Sequence, residues 1–242
     1  MTQADSYHDR ATGAFFGRRA GKKLRKEQAQ GLAELFPHLA LECTQPVHPE
    51  TLFPTPKSAY WLEIGFGGGE HLLANAQAHP EIGHLGCEPF INGLAKLVAA
   101  IGRQGLTNIR LHDDDALDLL RQLPPASLDR IYLLYPDPWP KRRHHKRRFV
   151  SDSVLALLAR VLKPNGLFCF ASDIDHYVGW TLAHLLRSDQ FDWIAETALD
   201  WKTPWAGWQS TRYEAKALRE GRVPSYLTAR RRPGTAATGP HD

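Results

Sequence analysis

The segment richest in chemistry is Tyr135-Pro-Asp-Pro-Trp-Pro-Lys-Arg-Arg-His-His-Lys-Arg-Arg148. Prolines at 136, 138 and 140 stiffen the backbone and give Asp137 a defined position. Trp139 offers a flat face on which a base can stack. The basic run behind it can neutralise phosphates, which supply the salt-dependent bulk of nucleic-acid affinity. A charge run alone reads as a solvated loop. A carboxylate, an aromatic ring and six cations in one proline-stiffened loop read as a site.

A second cluster is Glu63-Ile-Gly-Phe-Gly-Gly-Gly69. Glycines at the junction of a strand and a helix permit positive φ and close approach of a ligand to the backbone. The dinucleotide pattern GxGxxG counted from Gly65 requires glycine at 70, where Glu70 stands. The loop fits GxGxG through Gly65, Gly67 and Gly69, and no phosphate loop of the GxxxxGK[ST] type occurs. Glu70 at the helix start repels a pyrophosphate. An adenosine ligand that lacks phosphates and carries a cation fits better, and S-adenosylmethionine has both properties. Glu88, after the next apolar run, is placed to accept ribose hydroxyls. In His112-Asp-Asp-Asp115 one acid is placed to accept the adenine amino group, and the other two read as solvated or helix-capping.

The elements that must position these groups follow from periodicity. Tyr60–Ile64, His84–Cys87, Ile109–His112, Arg130–Tyr135 and Leu167–Ala171 read as strands. Glu70–Ala78, Gly93–Arg103, Leu117–Leu123 and Val150–Leu162 read as helices. In the last, Val150, Val154, Leu157, Leu158, Val161 and Leu162 form one apolar stripe, and Lys163-Pro-Asn-Gly166 supplies the stop. A further helix is expected from about His176 to Leu186. Asp192–Glu196 and Ser225–Arg230 are expected to close the sheet as a terminal antiparallel hairpin. The alternation predicts an α/β fold, a doubly wound and mostly parallel seven-stranded sheet. All three acidic sites then lie at carboxyl ends of parallel strands, where such sheets bind ligands.

Composition agrees with a globular chain of 242 residues, 43% hydrophobic and 23% charged, long enough to bury a core without disulfides or metals. The net charge of +4 conceals an uneven distribution. Arg18–Lys26 and Lys141–Arg148 carry six cations each and no acid. The remaining 18 Lys and Arg face 26 acids, so the body is near −8. An acidic body with two basic segments points to a polyanionic partner. Cys43, Cys87 and Cys169 are far apart and show no zinc spacing, which predicts no metal and a reducing compartment. No apolar run approaches a membrane span and no signal peptide is read, so a cytoplasmic protein with no membrane partner is expected. Residues 1–30 are expected to form a basic, partly disordered arm that grips RNA. Residues 31–232 form the domain, and 233–242 a disordered tail.

From roughly Phe15 to Arg232 the chain resembles the bacterial tRNA (guanine-N7-)-methyltransferases. The most specific element is the PDPWxKxRHxKRR-like signature at Pro136–Arg148. It is supported by EIGFGxG at Glu63–Gly69, GCE at Gly86–Glu88, DA at Asp115-Ala116 and ASD at Ala171–Asp173. Thr211-Arg-Tyr-Glu214 stands where the family usually has TKFE. The resemblance implies a Rossmann-like class I methyltransferase fold and methyl transfer from S-adenosylmethionine to N7 of a variable-loop guanosine (position 46) in tRNA. It implies cofactor contacts from Glu63, Gly65, Gly67, Glu88, Asp115 and Asp137, with Asp137 also at the catalytic centre. It assigns Lys141, Asp173, Thr211, Arg212, Tyr213 and Glu214 to the substrate guanosine, and Arg143, His144, His145, Lys146, Arg147 and Arg148 to RNA. Without it, Asp173 reads as a helix cap and Thr211–Glu214 as a capping box.

Two alternatives stand beside this reading. A methyltransferase acting on an exocyclic base amine favours a [DN]PP[YF] loop, which Pro-Asp-Pro-Trp-Pro does not match. A non-catalytic RNA-binding module has no need of the glycines and acids at the strand ends. Monomer and homodimer are equally compatible with the sequence.

Overall fold

The computed structural model describes residues 16–234. Seven strands form one sheet in the order β3-β2-β1-β4-β5-β7-β6. They are β1 (Ala59–Ile64), β2 (Ile82–Cys87), β3 (Ile109–His112), β4 (Leu128–Leu134), β5 (Leu162–Ser172), β6 (Phe191–Trp193) and β7 (Ser225–Arg231). The first five run parallel, with β1 between β2 and β4. β7 inserts antiparallel between β5 and β6. The expected terminal hairpin is therefore present, with β6 shorter than the sequence suggested.

The helices are α1 (Lys26–Glu34), α2 (Phe36–Leu39), α3 (Glu70–Ala78), α4 (Ile91–Gln104), α5 (Ala116–Gln122), α6 (Asp152–Val161), α7 (Asp175–Arg187), α8 (Leu199–Lys202) and α9 (Arg212–Arg219). In α4, Leu94, Leu97, Val98 and Ile101 repeat at helical spacing and are buried against Leu72, Ala76 and Ile109. In α6, Val154, Leu155, Leu158, Ala159 and Val161 turn inward with Phe168, Phe170 and Tyr177. Ser151 caps α6 by accepting from the Val154 amide at 3.3 Å. Full burial of one such leucine or valine stabilises by about 1.5–3 kcal/mol. These two packed layers clamp opposite faces of the sheet and hold the strand ends rigid.

A third patch, Tyr132, Leu134, Cys169, Ala171 and Tyr226, lies on the sheet beneath Trp205 and Trp208. Those two indoles reach it from the coil between α8 and α9. The expected helix at Val150–Leu162 begins two residues later and ends at Val161. The Lys163–Gly166 stop falls within the span of β5, with Asn165 at φ +65°.

The basic segment 18–26 runs along the protein and leads into α1. Ile91 N donates to Arg19 O at 2.9 Å, Gly21 N to Asn92 Oδ1 at 2.7 Å, and Asn92 Nδ2 to Lys22 O at 2.6 Å. Arg19 also meets Asp114 at 2.6 Å. The expected disorder of residues 1–14 and of most of the tail lies outside the described residues.

Candidate active site

The chain reverses its winding between β1 and β4, and a crevice of about 550 Å³ opens at their carboxyl ends, the place where doubly wound sheets bind ligands. It is lined by Gly65 and Gly67 after β1, Glu88 after β2, Asp115 after β3, and Tyr135, Asp137 and Trp139 after β4. Phe16, Gly17 and Arg18 close one side, and Tyr213 another. Of the residues expected to contact a cofactor, five line this crevice.

Gly67 has φ +56°, and its amide donates to Glu88 Oε2 at 2.6 Å. Phe90 N donates to Glu88 Oε1 at 3.0 Å. Each oxygen keeps a lone pair, so the carboxylate is held by the backbone and still able to accept hydroxyls. Burial lifts the Glu88 carboxyl above its ordinary 4.5, outweighing the two amides and Arg212, and Asp137 adds repulsion.

The triple acid resolves by position. Asp113 is exposed, and Asp114 is engaged by Arg19 and by the Asp115 amide at 2.8 Å. Asp115 is 3% exposed and caps α5, its Oδ1 accepting from Leu117 N at 3.1 Å. Its Oδ2 is buried without a hydrogen-bond partner. A buried acceptor with no partner, on a residue that lines the crevice, is costly unless a donor meets it. The chemistry fits the exocyclic amine of adenine, and the three acids Glu88, Asp115 and Asp137 fit a sulfonium cation.

The loop after β4 is strained. Tyr135 has φ +49° and Trp139 φ +41°, settings that L-residues with bulky side chains rarely adopt. Asp137 is exposed at the crevice. Trp139 is stacked under the Arg147 guanidinium, 5.0 Å from its ring centroid, and Phe16 meets the ring edge-on at 6.5 Å. One face of the Trp139 ring is thus covered by Arg147.

The basic run forms a 3-10 turn over Arg142–Arg147. Lys141, Arg142, Arg143 and Lys146 are exposed. His144 and His145 are held below the ordinary 6.5 by desolvation and then by neighbouring arginines, so the ridge draws its charge from lysine and arginine. Arg148 departs from the expectation of RNA contact. It is 2% exposed, donates to Pro138 O at 2.9 Å, meets His176 at 3.0 Å, and stacks on Tyr177 and Trp180. Its guanidinium anchors the proline-rich loop from below.

Several other expected site residues lie outside the crevice. Glu63 is buried and accepts from His71 Nδ1 at 2.6 Å. Asp173 is no helix cap: α7 is capped at Ile174, and Asp173 pairs with Arg222 at 2.5 Å. Thr211 caps α9 by accepting from Glu214 N at 3.2 Å, half of a capping box. The Glu214 carboxylate turns away to Tyr135, Tyr226 and Trp208. Arg212 is exposed, lies over the Tyr213 ring at 4.8 Å and donates to its hydroxyl at 2.9 Å. Sequence reasoning missed Phe16, Gly17, His71, Trp208 and Tyr226; it met Arg18 only as the first residue of the basic segment and Tyr135 only as the residue preceding the Pro-Asp-Pro-Trp run.

The sheet order, the glycine loop and the acids at three successive strand ends define a class I S-adenosylmethionine-dependent methyltransferase fold. Among solved structures, the 16S rRNA methyltransferase KamB is similar with a TM-score of 0.50 and 15% identity, over 73% of this chain and 89% of that one. TrmN from Thermus thermophilus is similar with a TM-score of 0.51 and 17% identity, over 72% of this chain and 44% of that one. The family model described as "Putative methyltransferase" matches residues 57–225. The tRNA (guanine-N(7)-)-methyltransferase of Rhizobium meliloti is 58% identical over 92% of this chain and 97% of its own length. That of Agrobacterium fabrum is 57% identical over the same shares. The chain belongs to the tRNA (guanine-N7-)-methyltransferase family.

Proposed function

We propose that the protein methylates N7 of a variable-loop guanosine in tRNA, using S-adenosylmethionine, in the cytoplasm. The observation that carries this reading is the loop after β4. It puts one carboxylate, Asp137, into the crevice and a ridge of exposed cations beside it. When bound, S-adenosylmethionine supplies an electrophilic methyl group on a sulfonium. Asp115 Oδ2 and the free lone pairs of Glu88 accept from the adenosine part, and the Gly65–Gly67 backbone makes room for it.

Guanine N7 carries an in-plane lone pair and no proton, so the transfer needs no strong general base. What remains is orientation and management of a positive charge that arises on the purine. Asp137 supplies a carboxylate where that charge develops, or accepts from the guanine N1–H and amino group. Lys141 and Arg143 are exposed toward tRNA phosphates, and Tyr213 walls the crevice near the glycine loop.

The test is incubation with S-adenosylmethionine and unmodified tRNA, followed by borohydride reduction and aniline cleavage, which reports N7 methylation. Asp137→Ala is expected to lower turnover by orders of magnitude while leaving the melting temperature unchanged. Absence of a cleavable site in every tRNA offered to the wild-type protein refutes the reading. Near-normal turnover by the variant removes Asp137 from it. Among the described residues no group of acids, histidines and cysteines is placed to hold a metal, and no helix is long and apolar enough to cross a membrane.

A further inference from the structure

A buried carboxylate is tolerable only when its lone pairs are met by donors. Glu214 on α9 is 3% exposed and has three. Its Oε1 accepts from Tyr135 OH at 3.2 Å and from Tyr226 OH, and its Oε2 accepts from Trp208 Nε1 at 2.8 Å. The donors come from three segments: the end of β4, the interior of β7, and the coil before α9. Burial keeps both phenols far above their ordinary range, so they remain protonated donors. With these contacts made, Oε1 has both lone pairs met and Oε2 keeps one.

What the carboxylate holds is Tyr135. At φ +49° this residue sits in the left-handed region, which costs a tyrosine about 1–2 kcal/mol. Its amide is tied to Ala171 O at 2.8 Å, and its ring is tied to Glu214. The next residue, Pro136, has its φ fixed by its ring, and the one after that is Asp137. The setting of Tyr135 therefore aims the Asp137 carboxylate. Behind the cluster, His71 packs on Trp208 at 4.9 Å and on Tyr132 at 4.6 Å, and Glu63 holds His71.

The geometry points to Glu214 as a positioning residue that acts through Tyr135 on Asp137, with Tyr226 and Trp208 as its supports. The kinetic consequence rests on the methyl-transfer reading above; the structural one does not.

The experiment compares Glu214→Gln, Tyr226→Phe and their double variant with the wild type, and Trp208→Phe serves as a second support to remove. Turnover per S-adenosylmethionine-binding site, KM for tRNA, the melting temperature and crystal structures are measured. Loss of one hydrogen bond to a buried carboxylate is expected to lower kcat about 10- to 100-fold. KM for tRNA stays within about threefold, and the double variant is no slower than Glu214→Gln, because both changes act through one group. Counting active sites separates this from loss of folded protein. In the Glu214→Gln crystal structure Tyr135 leaves positive φ and Asp137 is displaced. Three results overturn the inference: wild-type kcat in Tyr226→Phe, a raised tRNA KM with unchanged kcat in Glu214→Gln, or Tyr135 and Asp137 unmoved in the crystal. If the wild type methylates no tRNA, the functional reading falls, while the crystal structures still decide the positioning role.

Discussion

Gly93 provides a sharp test of how the glycine loop is held. It lies in the first turn of α4, where alanine is ordinarily the better residue by about 0.8–1 kcal/mol. Here a Cβ would stand 2.1 Å from the Gly67 carbonyl oxygen, 3.0 Å from its carbon and 3.4 Å from Glu88 Cγ. The two nearest atoms are backbone and a Cβ has no rotamer of its own, so no side-chain rearrangement relieves the contact. Restoring ordinary contact demands that loop and helix part by roughly 1 Å. The bond from Gly67 N to Glu88, now 2.6 Å, is then stretched beyond hydrogen-bonding range. A hydrogen bond to a carboxylate contributes about 1.5–3 kcal/mol, so Gly93→Ala should weaken S-adenosylmethionine binding about 10- to 100-fold. Overpacking adds about 1–3 kcal/mol of destabilisation against the helix-propensity gain.

Gly179 in α7 is the matched control: it is exposed, and a Cβ there meets nothing within 4 Å. Gly179→Ala should therefore stabilise by about 0.5–1 kcal/mol, raising the melting temperature by roughly 1–4 °C. Calorimetric titration with S-adenosylmethionine and thermal unfolding of both variants read the two effects. Gly93→Ala binding within twofold of wild type would show that the close approach does not shape the site, and the reasoning would fail.

Other outcomes follow from the same geometry. Arg148→Ala leaves the Pro138 carbonyl and the Tyr177 and Trp180 faces without their partner. It should lower stability by about 2–4 kcal/mol in thermal unfolding, whereas Arg143→Ala should leave the melting temperature unchanged. Arg143→Ala should instead reduce the slope of log tRNA affinity against log salt by about 0.7–1, measured by filter binding, with S-adenosylmethionine affinity indifferent to salt. Because burial raises the Glu88 carboxyl, its charged form is present above that raised value and lost as pH falls through it. S-adenosylmethionine affinity should therefore weaken on acidification at a pH higher than an ordinary 4.5 carboxyl allows, and Glu88→Gln should remove that dependence.

The sheet and its ligand edge were legible because two periodicities, alternate residues in strands and every third or fourth in helices, are set by chain geometry alone. Gly65, Gly67, Glu88 and Asp137 could be expected at the crevice because turn chemistry and strand ends leave local marks, whereas among the three acids at 113–115 the sequence pattern alone did not single out Asp115, which lines it. Arg148 was misread because charge type says nothing of burial; its stacking partners Tyr177 and Trp180 lie on α7, far along the chain. Likewise Glu214, without the family resemblance, reads only as part of a capping box, whereas the sheet brings Tyr135 and Tyr226 together around its carboxylate. The segment 18–25 reads as a loose cationic arm, since hydrogen bonds such as Ile91 N to Arg19 O depend on a helix that begins some 70 residues later.

β7 is last in the chain among the seven strands, yet it sits inside the sheet, between β5 and β6. Among the described residues β6 pairs only with β7, so it pairs once residues 225–231 are in place. Those same residues deliver Tyr226 to Glu214. During synthesis the sheet and the setting of the loop after β4 are thus completed in a single late event, after the more local β1–β5 units have had time to form. A chain lacking β7 would keep the β1–β5 units and lose the Tyr226–Glu214 contact that helps hold Tyr135 at the start of the loop after β4.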